Sequence, residues 1–153
     1  MHDDTHYMQL AIAASRQAMD EGNFPYGATL LTRDGRSHVS RNNQVTTGDC
    51  TGHAEVVLIR EAAQTMGPEA LKGATVYASG EPCAMCSGAL FWAGVARVVY
   101  AMPTRTINRI GGAPWLDVRS IDVLGRASHA TQVVGPLLED EATAVLQEWV
   151  ARQ

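Results

Sequence analysis

Three cysteines are too few, and two of them too close together, to frame this 153-residue chain with disulfides. The first ten residues, MHDDTHYMQL, are acidic and polar, where a secretory signal would be basic and then apolar. The longest apolar run, around Ala89–Ala96, falls far short of the roughly 20 residues that cross a bilayer. Low-complexity tracts and internal repeats are absent. Basic residues are in deficit, 12 Lys and Arg against 16 Asp and Glu, and the net charge of −4 argues against nucleic acid as the main partner. These absences together predict a protein of the reducing cytoplasm. One local excess runs against the trend: Arg97, Arg105, Arg109, Arg119 and Arg126 face only Asp117 and Asp122 between positions 97 and 130.

A hydrophobic fraction of 46% and a charged fraction of 18% are those of a globular chain. The length suits one domain over residues 1–153, able to bury roughly 70% of its unfolded surface without covalent staples. Thr5 and Gly22 bracket a helix whose Tyr7, Leu10, Ala11, Ala14 and Ala18 form an apolar stripe. ATLLT, the Asp34-Gly35 turn and SHVSRN read as a β-hairpin. A helix follows from HAEVVLIREAAQTM to Gly67-Pro68, then strand ATVYAS, helix CAMCSGALFWA and strand ARVVYA. MPTRTINRIGGAPW reads as a loop on its Gly-Gly and Pro residues. A short helix near Asp117–Leu124, a strand over Gln132–Leu138 and a helix from Glu139 complete the chain, with Ala142, Val145, Leu146 and Trp149 on one face of the last. Strands alternating with helices predict an α/β layered fold around a mixed sheet whose first pair is antiparallel.

Two stretches carry chemistry: GHAEVVLIREA at 52–62 and GEPCAMCSGAL at 80–90. Cys83 and Cys86, three apart on a helix, share a face and can reach one ion. Pro82 before them suits a helix start, where dipole and free amides favour thiolates. Alone, the pair reads equally as a redox couple or as two buried small hydrophobes. His53 and Glu55 alone read as a capping residue and a solvated acid. Their side chains diverge by about 200° on an ideal helix, so a shared site needs His53 at the entrance and Glu55 inside. Taken together the four residues make sense. One imidazole and two thiolates leave the fourth position of zinc open, the catalytic rather than the structural arrangement. A water there is drawn toward hydroxide near neutral pH, and a carboxylate that does not bind the metal can relay its proton.

HAE followed by EPCAMC resembles the H-x-E…P-C-x-x-C signature of the zinc-dependent cytidine deaminase-like superfamily. The resemblance runs over almost the whole chain. It implies a three-layer α/β/α sandwich around a five-stranded mixed sheet, one zinc on His53, Cys83 and Cys86 with a catalytic water, and Glu55 as general acid/base. The implied reaction is water attack on an amidine-like ring carbon, with ammonia as leaving group. Members look dimeric or tetrameric through their central helices, so a homo-oligomer is implied, and the apolar GALFWAGVA helix agrees.

Among branches, the motif surroundings look most similar to guanine deaminases acting on free purines. That likeness marks Asn42 as a base-binding amide and Trp92 as a stacking wall, and points to Phe24 in FPYGA and Ala54 as further base contacts. Outside it, Asn42 reads equally as a turn residue and Trp92 as core. The guanine branch also brings a second acid from the segment after the fourth strand, where this chain offers only Asp117, at what reads as the surface start of a helix. Without a second acid in the pocket, weight passes from guanine to a related amino-purine, pterin or triazine. The tRNA adenosine deaminases share EPCAMC and the layout of the tail, but the chain lacks their basic C-terminal extension. Free cytosine deaminases share the cage with a smaller pocket. A catalytically silent zinc-binding assembly domain is the non-enzymatic alternative. Cys50 reads as an unliganded loop thiol, and Glu81 as a residue that orders its loop. His2, His6, His38 and His129 have no metal spacing.

Overall fold

The computed structural model describes residues 3–112 and 114–153, so His2 lies outside the described residues. The elements run α1 (Asp4–Asp20), β1 (Gly27–Leu31), β2 (Ser37–Arg41), α2 (Gln44–Thr47), α3 (Ala54–Met66), a 3-10 turn (Pro68–Leu71), β3 (Thr75–Gly80), α4 (Ala84–Ala93), β4 (Arg97–Met102), α5 (Thr104–Gly111), α6 (Ser120–Leu124), β5 (Gln132–Val134) and α7 (Glu139–Ala151). The sheet order is β2-β1-β3-β4-β5. Strand β1 is antiparallel to both neighbours, with Gly27 opposite Arg41 and Ala28 opposite Ala78; β3, β4 and β5 are mutually parallel, Thr75 beside Arg97 and Arg97 beside Gln132.

The central strands are buried almost end to end, as a sheet covered on both faces requires. Side-chain alternation sorts their residues into two cores. Tyr77, Val99 and Ala101 pack with Met8, Ile12, Val145 and Leu146 of α1 and α7, and α5 adds Ile107 and Ile110 to that side. Val76 and Val98 face the other way, onto Leu58 and Leu90 of α3 and α4 and Leu124 of α6. The result is a three-layer α/β/α sandwich around a five-stranded mixed sheet.

Three boundaries differ from the sequence expectation. Helix α1 starts earlier, because the Asp3 carboxylate, not Thr5, accepts the His6 amide at 3.1 Å. Residues 104–111 are helical rather than loop. Pro103 sits at the N-cap, where its missing N–H costs nothing, and Gly112 leaves at φ 75. The last strand stops at Val134, since Gly135-Pro136 follows and proline offers the ladder no donor.

Helix α1 crosses β1 at Gly27 closely enough that a Cβ there would collide with the Ala11 carbonyl oxygen and lie 2.6 Å from the Ser15 nitrogen. Both are backbone atoms, so no side chain can swing aside. Gly27→Ala is therefore expected to destabilise the fold by about 1–3 kcal/mol, measured as a lower denaturation midpoint with an unchanged slope. An unaltered midpoint would refute this close approach.

Candidate active site

Both chemical stretches form helix entrances at the same edge of the sheet. The β2–α3 connection delivers His53 as N-cap of α3, extended at φ −67, ψ 147, while Glu55 already lies in the first turn. That resolves the angular divergence of the pair: His53 stands outside the helical register. Strand β3 ends at Gly80 and delivers Cys83 as N-cap of α4, with Cys86 three residues into the same entrance. Sheets of this kind build their sites at the carboxyl ends of parallel strands, and β3 is one of them.

His53 Nδ1 lies 3.6 Å from Cys83 Sγ and 3.5 Å from Cys86 Sγ, and the three ligand atoms lie within 4.8 Å of one another. Tetrahedral zinc with its usual N and S bond lengths sets such edges at about 3.5–3.6 Å. The donor set therefore fits that ion. Charge points the same way. The bond to Cys86 outweighs burial and brings the Cys83 thiol down to about 4, with His53 assisting. Cys86, fully buried, is driven far up by its bond to Cys83 and by burial. The two sulfurs thus oppose each other's ionisation, which a divalent ion between them would relieve. His53 is raised by its bond to Cys83 against the opposing pull of burial.

Glu55 is buried at 5% exposure, and desolvation raises its pKa despite a bond from Cys86 and the nearby imidazole. A carboxyl whose charged form is disfavoured in this way takes up a proton more readily than an exposed one. The second buried acid, Glu81, is fully committed to structure. It accepts from the amides of Thr104 (2.8 Å) and Ser120 (3.1 Å), the Ser120 hydroxyl (3.0 Å) and the Arg119 guanidinium (3.3 Å). Burial pushes it upward, but the Thr104 amide, the Ser120 hydroxyl and Arg119 prevail and hold it below the ordinary carboxylate value. Glu81 thereby ties the entrances of α5 and α6 to the turn that presents Cys83.

A cavity of about 600 Å³ opens over this group. Asn42, Ala54 and Phe24 line it. Asn42 is 1% exposed and spends its amide on Gln44, donating to Oε1 at 2.7 Å and accepting from the backbone amide at 3.0 Å. Cys50 reaches the rim but stands apart from the ligand group.

Two expectations are not met. Trp92 is absent from the cavity wall; it points outward from α4, 84% exposed, into a separate groove with Val56, Ile59 and Ala89. Asp117 is exposed and turned away, although Leu116 and Val118 on either side line the cavity. The Val118 amide donates to the Leu116 carbonyl at 2.9 Å, a tight turn centred on Asp117 that leaves its side chain exposed. Other liners were invisible as such in the sequence. Trp149 and Leu146 of α7 close one side, with the Trp149 ring 5.6 Å from that of Phe24. Thr104, Ile107, Asn108 and Gly111 of α5 form another wall. Among the described residues no Lys or Arg lines the cavity. The arginine excess is partly structural: Arg97 pairs with Asp4 at 2.7 Å and Arg119 with Glu81.

Residues 1–102 match the family model described as the cytidine and deoxycytidylate deaminase zinc-binding region. Over 143 residues the chain is 40% identical to a probable cytosine deaminase of Schizosaccharomyces pombe, covering 91% of this chain and 87% of that one. Over 150 residues it is 34% identical to a tRNA-specific adenosine deaminase of Agrobacterium fabrum, covering 97% and 95%. Its backbone is similar to that of a guanine deaminase from Nitrosomonas europaea, with a TM-score of 0.81 and 24% identity over 99% of this chain and 86% of that one, a likeness of fold.

The donor geometry predicts one zinc per chain in protein purified without chelator, read by elemental analysis. Cys86→Ser should lose most of that metal, and stripping the wild type should lower its melting temperature, because an ion bound only by the native state stabilises it. Full metal occupancy in the variant would contradict the assigned ligand set.

Proposed function

The chain belongs to the cytidine and deoxycytidylate deaminase zinc-binding family, and from that membership we propose that it hydrolyses the amine from a free nucleobase or a related aminated heterocycle. His53, Cys83 and Cys86 would hold the zinc, and the bound ion would supply a Lewis acid that generates hydroxide near neutral pH. Glu55 takes one proton from the attacking water and passes it to a ring nitrogen, then takes the second from the new hydroxyl on the ring carbon and gives it to the amine, so that the C–N bond breaks, a carbonyl remains and ammonia leaves. Burial supports this role by keeping the carboxyl protonatable where an exposed one would stay ionised. Asn42, Ala54 and Phe24 face the ring.

The observation that carries the choice of a free base is the wall itself. Phe24, Trp149, Ile107 and Leu146 offer apolar faces to a flat ring, and no cation among the described liners stands ready for a phosphate. A volume of about 600 Å³ admits a bicyclic purine as well as a pyrimidine. Guanine-type purines remain in the class. Yet the described acids of the wall are Glu55 and the fully bonded Glu81. Weight therefore passes from guanine itself to rings that need one proton carrier, cytosine and other amino-purines foremost.

A panel of guanine, adenine, cytosine, their nucleosides, pterins and aminotriazines, scored for ammonia, tests the proposal. Release from at least one free ring is expected, and Glu55→Gln should cut it by about 10²- to 10⁴-fold while zinc content holds. Release only from an adenosine in an RNA loop would transfer the function to tRNA. Silence on every substrate, with Glu55→Gln indistinguishable from wild type, would leave a zinc-binding assembly domain.

The protein is also read as a homo-oligomer. The groove of about 410 Å³ between α3 and α4 leaves the Trp92 indole 84% exposed among apolar neighbours, a surface suited to a second copy. Trp92→Glu is expected to shift the species seen by sedimentation velocity toward monomer; a wild type that sediments as monomer would remove this part.

A further inference from the structure

Helix α5 is pinned from two sides. Its first amide, Thr104 N, is held by Glu81, and Thr106 Oγ1 donates to Glu139 of α7 at 2.7 Å. With its rotation fixed, the stripe 104, 107, 108 and 111 faces the cavity at the i, i+3, i+4, i+7 spacing of a single helix face. Three of those positions carry a hydroxyl, an alkyl group and a hydrogen. The fourth is Asn108, half-buried, whose amide has no hydrogen-bond partner among the described residues. The other amides of the wall differ: Asn42 and Gln44 bond to each other.

An amide offers one strong acceptor and two donors in a plane. Its complement is a lactam edge, a ring N–H beside a carbonyl, which an asparagine meets with two parallel hydrogen bonds. Guanine and cytosine both carry one as free bases; attachment of ribose at N1 removes the N–H from that of cytosine. The aromatic and alkyl faces of the cavity can position a ring without telling one edge from another, so selection falls to such a polar group.

We propose that Asn108 is a specificity-determining residue that binds the lactam edge of the ring being deaminated. This rests on the free-base reading above. Asn108→Ala in the zinc-loaded protein is expected to raise KM for guanine or cytosine about 10- to 100-fold, the cost of an amide edge left unmatched, with kcat within about twofold. The same variant should leave unchanged the inhibition constants of 2-aminopurine and 4-aminopyrimidine, which keep the amine and its carbon but lack the lactam. Asn108→Asp, which holds the volume and exchanges the donor for an acceptor, should weaken the lactam rings in the same selective manner. That selectivity separates recognition from folding damage, which would affect all four rings alike. Equal losses on all four, or no loss on any, overturns the assignment. A wild type inert toward both bases but active on another free ring of the panel overturns this inference alone; one inert toward every free ring overturns the free-base reading as well, and both results are legible without any variant.

Discussion

An imidazole lies 3.5–3.6 Å from each of two thiols at the mouth of two helices, and the two sulfurs oppose each other's ionisation. A divalent ion held between them would relieve that opposition. The fold accepts this local conflict because both sulfurs are delivered by rigid elements, one capping α4 and one in its first turn. Everything else in the site is arranged about that group. The proposed reaction needs Glu55 buried close enough to exchange protons with what the ion would activate, yet not a ligand itself. Its place in the first turn of α3, while His53 remains outside, suits both.

The surrounding layers exist to keep these helix entrances in register. Strand β1 runs antiparallel between β2 and β3, which lets a tight hairpin precede α3 and places its start beside the end of β3. Glu81 extends the same order outward. Its carboxylate, saturated by donors from α5 and α6, turns two otherwise separate helix starts into a roof fixed to the Cys83 turn. An acid that looks chemically available from its position beside the Pro-Cys motif is thus consumed by architecture.

Much of this was legible in the sequence, for identifiable reasons. Asp34-Gly35 announced the hairpin, and the apolar stripe of α1 announced a helix against the sheet. His-x-Glu and Pro-Cys-x-x-Cys converge as their placement at helix starts required. What stayed hidden depended on orientation. Helix α4 is apolar nearly all round, so periodicity could not tell that Trp92 points away from the cavity. Asp117 sits at the centre of a tight turn between two lining residues, a placement that no sequence pattern marked. Helix α5 was concealed by Pro103 and by Gly111-Gly112, which punctuate a short helix as readily as they mark a loop. With it went the wall that carries Asn108.

The division of labour along the chain has a corollary. The ligand set and Glu55 fall within the first 102 residues, the part that the family model covers, whereas α5 and α7, which roof the cavity, lie downstream. The cavity is thus assembled from both parts, with Phe24, Asn42 and Ala54 from the first and Ile107, Asn108, Leu146 and Trp149 from the second. Exchanging α5 and α7 would rebuild two walls of the cavity and leave the His53, Cys83 and Cys86 group in place.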